Sequence, residues 1–294
     1  MNRFPTLLHR EWMQHRRGWL LLAVIPAVLA LLAVPFGQIR IEGFVGAPML
    51  AAIAITIYLM ALLALALAAM LIQAPGMARR DQQDRSIEFW LSLPTSHWQS
   101  VSATLLMHLL LMPLLVLAIS VLAAQLIAPL LVVNVLGVQA LGEFTATEWV
   151  IFSAAGVLRQ LLGLLFAVLW LSPLIMLAMA ASAWLKGWGV PALVAGLVIL
   201  GLLLQQLTGH TLVWQVLGFW WAQAKVAALP LLRGGIPFES LAGSDAAMGW
   251  FRDWLLHDTA QLLRDAVHPG MAGGLLVAAG GFVLLIWRRS RPGN

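Results

Sequence analysis

The spacing of charged residues constrains this chain more than any other feature. Six stretches run without Asp, Glu, Lys or Arg for the length of a membrane crossing or longer: Gly18–Phe36, Gly46–Gln73, Phe89–Gly142, Gln160–Leu185, Gly187–Ala224 and Ala266–Trp287. A spanning helix needs about 20 apolar residues, and charge is what a bilayer interior excludes. Composition agrees: 62% of the residues are hydrophobic and 10% charged, against roughly a quarter charged in a soluble domain. In this class a net charge of +5 marks a membrane face and not affinity for nucleic acid. Cysteine is absent, which removes disulfides, thiolate metal sites and cysteine nucleophiles.

The gap Phe89–Gly142 has room for one long crossing or two, and parity decides between them. With six crossings both termini share a side, and eleven basic residues (Arg3, Arg10, Arg16, Arg17, Arg79, Arg80, Arg85, Lys186, Arg288, Arg289, Arg291) face six (Arg40, Arg159, Lys225, Arg233, Arg252, Arg264). The positive-inside rule then puts both termini in the cytoplasm. The expected fold is an all-α integral membrane protein, a single transmembrane domain over 1–294. Its spans are 18–36, 47–73, 99–128, 160–184, 188–208 and 270–287, with Pro129 ending the third. Trp12, Trp19, Trp98, Trp149, Trp184, Trp188 and Trp287 lie near span ends, where an indole ring favours the interface.

Residues 3–17 are too charged to cross. Leu8, Trp12, His15 and Trp19 recur at helical spacing among Arg3, Arg10, Arg16 and Arg17, which predicts an amphipathic helix on the cytoplasmic surface; the alternative is an unstructured basic tail. No small-residue cleavage site follows the first apolar run, so that run is expected to be retained.

Residues 78–98, ARRDQQDRSIEFWLSLPTSHW, interrupt two apolar segments with three basic and three acidic side chains. Arg80, Asp84 and Glu88 recur every fourth residue, Asp81 and Arg85 form an opposite-charge pair, and Ile87, Trp90 and Leu91 share a side. The pattern predicts a short helix over about 78–92 with one charged and one apolar face, stopped by Pro94. Ser96 with Gln99 has the form of a capping box that starts the third span. On spacing alone a flat turn between spans explains the segment equally well.

The segment 209–268 is expected outside, yet it is rich in Trp214, Trp220, Trp221, Trp250 and Trp254. Two helices, over 212–232 and 248–267, lying on or dipping into the outer leaflet account for that composition. Within the spans, Thr56, Ser120, Gln125, Asn134, Gln160, Ser172, Ser182, Gln205 and Gln206 either line a pathway or bond between helices. His108 is read as a packing residue ahead of a proton relay, and Arg159 as a side chain that snorkels to the interface. His9 and His15 are poor metal candidates beside arginines, and His257 with Asp258 reads as a solvated outer pair.

Chemistry of its own is hard to find in this chain. A phosphate-cradling loop needs Lys followed by Ser or Thr, and neither Lys186 nor Lys225 is so followed. The six predicted spans contain no Asp or Glu, the usual coupling element of a proton-driven carrier. No catalytic residue, cofactor or metal is assigned, and substrate-pathway residues are left open.

At residues 84–106, DRSIEFWLSLPTSHWQSVSATLL, the chain resembles the segment after the second span in permeases of the type-2 ATP-binding-cassette exporters, bacterial relatives of the ABCG transporters. The positions that carry the resemblance are Asp84, Ser86, Ile87, Glu88, Leu91, Ser92, Leu93, Pro94, Thr95 and Ser96. The opening LLHREWMQHRRGW resembles that family's interfacial helix, and 209–268 is similar in position to its external re-entrant helices. Where the family carries Lys near the start of the third span, Ala103–Thr104 stands here. The resemblance implies that 78–95 is a coupling helix, with Asp84, Arg85, Ser86, Ile87, Glu88, Phe89, Trp90, Leu91 and Pro94 docking on a cytoplasmic ATPase. It implies two ATPase subunits that hold ATP and Mg, and a second permease chain, identical or paralogous. It further implies a translocation route at the permease dimer interface and residence in the bacterial inner membrane among lipid. The alternative function is a secondary carrier or channel independent of ATP.

Overall fold

The computed structural model describes residues 4–37, 46–83, 96–234 and 244–290, and among them every regular element is helical. Helix α1 is Phe4–Ala33, extended by a 3-10 turn at Val34–Phe36, and α2 is Ala47–Gln83. Next come α3, His97–Leu106, a π-helical turn at Met107–Leu111, and α4, Met112–Leu136. Helix α5 is Ala146–Leu185 and α6 is Gly189–Thr208. Then follow α7, Leu212–Ala228, α8, Ser244–Ala266, and α9, Pro269–Arg289. Five helical stretches are long and apolar enough to cross a membrane: Phe4–Phe36, Ala47–Arg79, His97–Leu136, Trp149–Thr208 and Pro269–Arg289. The chain is a multi-pass, all-helical protein of the membrane type.

Helix α5 organises the bundle. It packs against α9, α2, α7, α6 and α8, while α1 lies against α3 and α4, and α2 against α4. The interior is built from large apolar side chains and alanine: Trp170, Leu164, Ala167 and Ile175 of α5 meet Met70 and Ala66 of α2 and Met112 and Val116 of α4. Leu29, Leu122, Leu276, Val283 and Ile199 point outward and are exposed. Apolar residues on both the inside and the outside are what a bilayer, unlike water, permits.

The fourth stretch, 149–208, is two helices and not one rod. Lys186 adopts φ 54°, a left-handed conformation that costs a non-glycine residue about 1–2 kcal/mol. At Gly189 a Cβ would lie 2.4 Å from Ser182 Cα, so only glycine lets α6 pack back against the end of α5. This break falls between the expected spans 160–184 and 188–208.

Several boundaries differ from expectation for identifiable reasons. The predicted surface helix 3–17 and span 18–36 are one continuous helix, α1. Its buried stripe, Leu7, Glu11, Trp19, Ala23 and Ala27, repeats every fourth residue or a multiple of four, so one face packs along the whole length. Trp19 is 2% exposed and belongs to the core, not to an interfacial belt. Pro129 does not end the third span; α4 runs through it to Leu136. A proline removes one backbone hydrogen bond, and leaving the helix inside lipid would orphan more. Helix α2 passes 73, through Pro75, to Gln83, because Met70, Ala74, Met77 and Ala78 keep one face buried. Residues 78–83, expected in a separate helix, therefore continue α2. Ser96 stands at the N-cap of α3 as expected but makes no side-chain cap bond; its carbonyl accepts from the Gln99 and Ser100 amides instead. In the 209–268 segment two helices form, α7 and α8, close to the predicted limits.

Candidate functional site

Two buried clusters of polar side chains stand out from the apolar interior. The first is centred on Glu11. An arginine at the adjacent position and a helix face that would otherwise read Leu, His, Trp, Ala place this carboxylate against the bundle, where it is 2% exposed. Its Oε1 accepts from Arg10 Nη2 at 2.7 Å and from the Thr104 hydroxyl of α3 at 3.2 Å. Its Oε2 lies 3.5 Å from His108 Nε2 and 3.9 Å from His15 Nδ1. The rings of His15 and His108 meet edge-on with centroids 4.3 Å apart. Glu11, His15 and His108 each offer one ligand atom, and the three atoms lie within 4.8 Å of one another.

His108 belongs to the π-helical turn between α3 and α4. That turn lies just before Pro113, whose ring would meet the carbonyl of Leu109 in a regular α-helix; widening the turn relieves the clash. π-Turns of this kind often occur at functional positions. His108 is fully buried, and neither ring nitrogen has a hydrogen-bond partner. His15, set aside as a poor ligand on sequence grounds, thus stands in a cluster with a carboxylate and a second histidine. The signal was present in the sequence: Leu7, Glu11, His15 and Trp19 are spaced four apart.

The second cluster joins α5, α7 and α8. Arg159 is 1% exposed and does not snorkel. Its Nε donates to Asp258 Oδ2 at 2.5 Å, its Nη1 to the Ala227 carbonyl at 2.9 Å and its Nη2 to the Val226 carbonyl at 3.4 Å. These two carbonyls close α7, whose last turn lacks helical donors and carries the negative end of the helix dipole. Gly163, one turn along α5, makes this approach possible; a Cβ there would lie 2.6 Å from the Ala227 oxygen. Asp258 is 3% exposed, so it is no solvated outer residue. Arg233 lies 3.4 Å from its Oδ1 and donates to Asp265 Oδ2 at 2.6 Å. Two arginines and two aspartates thus form one charge-balanced network that staples α8 to the bundle. Asp258 falls on the stripe Phe251, Leu255, Leu262, which is buried.

The span polar residues mostly serve their own helices. Thr56, Ser120 and Ser172 donate to carbonyls three or four residues back. Asn134 donates to Pro35 and Ser153 to Gln125, joining different elements, while Gln160 Oε1 is buried without a partner.

Residues Asp84, Arg85, Ser86, Ile87, Glu88, Phe89, Trp90, Leu91 and Pro94, expected to form the ATPase-coupling surface, lie outside the described residues. What the structure describes is their mounting: α2 delivers the chain at Gln83 and α3 takes it up at His97. The surroundings are basic. Arg289, at the end of α9, donates to Ser100 of α3 at 3.5 Å. Arg288 stands over Trp184, which packs on Trp287, and the Arg79 guanidinium lies near Gly187. Arg159 is twenty-five residues before Trp184 on α5, about 38 Å at 1.5 Å per residue. The Arg159 network is therefore at the opposite end.

The chain matches no family model, no curated protein and no solved structure at a level that carries an argument.

Proposed function

We propose that this chain is the membrane-embedded permease subunit of a type-2 ATP-binding-cassette exporter, driven by an ATPase on a separate chain through residues 78–95. The observation that carries the reading is the charged segment 79–98 between two long apolar helices, in the pattern described above. Its mounting supports the role. A force applied between Gln83 and His97 acts on α2 and α3, both of which pack into the main core through Met77, Ala78 and Val101. Helix α2 has 37 residues, about 55 Å of continuous rod, long enough to carry a displacement from one face of a bilayer to the other.

Six crossings accord with the break at Lys186, which separates α5, Ala146–Leu185, from the 20-residue α6, Gly189–Thr208. Sidedness accords with charge. The end that gathers Arg10, Arg79, Lys186, Arg288 and Arg289 has few acids among the described residues. At the other end Arg159 and Arg233 are matched by Asp258 and Asp265. The positive-inside rule assigns the first end to the cytoplasm, on the side from which an ATPase would dock. Helices α7 and α8 then lie at the outer face.

The test has two stages. The chain is purified from its native membrane, and an ATPase is expected to come with it. Glu88→Arg and Pro94→Ala are then expected to abolish stimulation of that ATPase while insertion into the membrane is unchanged. Unaltered stimulation and transport in both variants would remove the coupling role. Transport by the chain alone in liposomes, with no ATPase present, would favour a secondary carrier or channel.

A further inference from the structure

We propose that Glu11, His15 and His108 form a binding site for a divalent transition-metal ion that ties α1 to the π-turn between α3 and α4. The proposal does not depend on the exporter reading.

The geometry brings three ligand atoms, one from each side chain, to within 4.8 Å of one another. Around a tetrahedral ion with bonds of about 2.0–2.1 Å, neighbouring ligand atoms are roughly 3.3–3.4 Å apart. Glu11 Oε2 is 3.5 Å from His108 Nε2 and 3.9 Å from His15 Nδ1, within a small side-chain adjustment of that spacing; His15 Nδ1 also stands 3.1 Å from the Glu11 carbonyl, a contact it exchanges for the ion. The two carboxylate oxygens divide the work. Oε2 faces both imidazoles, while Oε1 is held by Arg10 and Thr104. A ligating carboxylate whose other oxygen is hydrogen-bonded is the usual arrangement around bound metal, because the outer partners fix the orientation of the ligand.

His108 supplies an independent observation. A buried imidazole whose Nε2 reaches only a carboxylate oxygen at 3.5 Å and whose Nδ1 has no hydrogen-bond partner is incompletely satisfied, and such groups in native interiors call for an explanation. Here the ring is fully buried, its Nε2 is directed to the carboxylate, and the backbone that carries it is a π-turn. Coordination through Nε2 gives that nitrogen a close partner and fixes the tautomer with the proton on Nδ1, which coordination by itself leaves without a hydrogen-bond partner.

Two imidazoles and one carboxylate form a donor set of borderline softness, suited to Zn2+ and its first-row neighbours and not to Mg2+ or Ca2+, which take oxygen. Three protein ligands leave a fourth position for water. His15 provides the way in, since its side chain is 18% exposed while the other two ligands are shut off. The adjacent Arg10 opposes a cation. It is itself 18% exposed and bonds the far oxygen, so its charge can turn toward solvent while Thr104 keeps the carboxylate in place.

The experiment uses the full chain in detergent with any affinity tag removed, stripped with EDTA and titrated with Co2+. One equivalent is expected to bind, with the visible absorption of low-coordinate Co2+, and Zn2+ is expected to displace it. Loss of an outer-shell partner weakens metal sites by roughly 10–100-fold, so His108→Ala and His15→Ala should each weaken binding by at least that much. His257→Ala, at an exposed histidine bonded to Gln261, should leave it unchanged. A wild-type chain that takes up no Co2+ or Zn2+ at micromolar concentration overturns the proposal, as does uptake that His15→Ala leaves intact. Should His108→Ala fail to fold, the wild-type stoichiometry and the partly exposed His15 position decide the matter.

Discussion

Replacing Arg159 and Asp258 singly and together tests how the outer helices are held. Both side chains are nearly inaccessible, and removing one member of a buried ion pair costs about 3–5 kcal/mol, because the other charge is left behind. The surroundings make the two single changes unequal. In Arg159→Met, Asp258 keeps Arg233 at 3.4 Å, so the expected loss is near the lower limit, about 3 kcal/mol. In Asp258→Leu, Arg159 keeps only the Ala227 and Val226 carbonyls, and Arg233 becomes a like-charged neighbour, so the loss approaches about 5 kcal/mol. The double variant orphans no charge. It still leaves the last carbonyls of α7 without Arg159, a cost of about 1–3 kcal/mol. The expected loss is then about 1–3 kcal/mol, against about 8 kcal/mol if the single effects added. Equilibrium unfolding in mixed detergent micelles, followed by circular dichroism, measures each corner of the cycle. Additivity to within about 0.5 kcal/mol, or a wild-type-like Arg159→Met, would show that these charges are not coupled as drawn.

Three further substitutions examine the same helix and its end, read by the same unfolding assay. Gly163→Ala drives a Cβ to within 2.6 Å of the Ala227 oxygen and should cost about 1–3 kcal/mol by overpacking, whereas Gly156→Ala, with open space around it, should gain up to about 1 kcal/mol from helix propensity. Equal effects at the two positions would contradict the close approach of α7 to α5. At the left-handed turn after α5, Lys186→Gly should relieve strain and raise stability by up to about 1 kcal/mol, and a clear loss there would mean that the lysine side chain has a role of its own.

Hydropathy made the long helices legible, since a run of uncharged residues of spanning length has few alternatives in lipid. The turn at 186–188 was legible for the same reason: Lys186 interrupts the run, and Gly189 lets the next helix approach Ser182 closely. The extents were not. Pro129 read as a terminator, but in a bilayer the chain has no solvent to take over the backbone hydrogen bonds, so the helix continues. Charged residues near span ends were misread more deeply. Arg159 meets an aspartate ninety-nine residues later, a pairing that no local pattern reveals. Asp258 and Glu11 did leave a local trace, since each falls in register with buried apolar residues on its own helix. Read as stripe members and not as charges, both would have been placed inside.

The two clusters bear on how a chain like this could move a solute. One ties α1 to the π-turn region at the basic end, and the other ties α8 to α5 and α7 at the opposite end. Along α5 between them, from Leu164 to Ala183, the buried side chains are apolar apart from Ser182, and Ser172 is spent on its own helix. Among the described residues, the interior along α5 is packed with Trp170, Met176 and Ile175 and not with polar side chains that would hold water. A transport path is then better sought along an outer face, where a second copy or a paralogue would complete the walls. Helix α6 has that character, being apolar, broadly exposed and buried only at Gly189 and Gly201. On the permease reading proposed above, the ionic staples would make each chain a rigid half, and motion imposed through residues 84–95 would separate or close two halves instead of opening one.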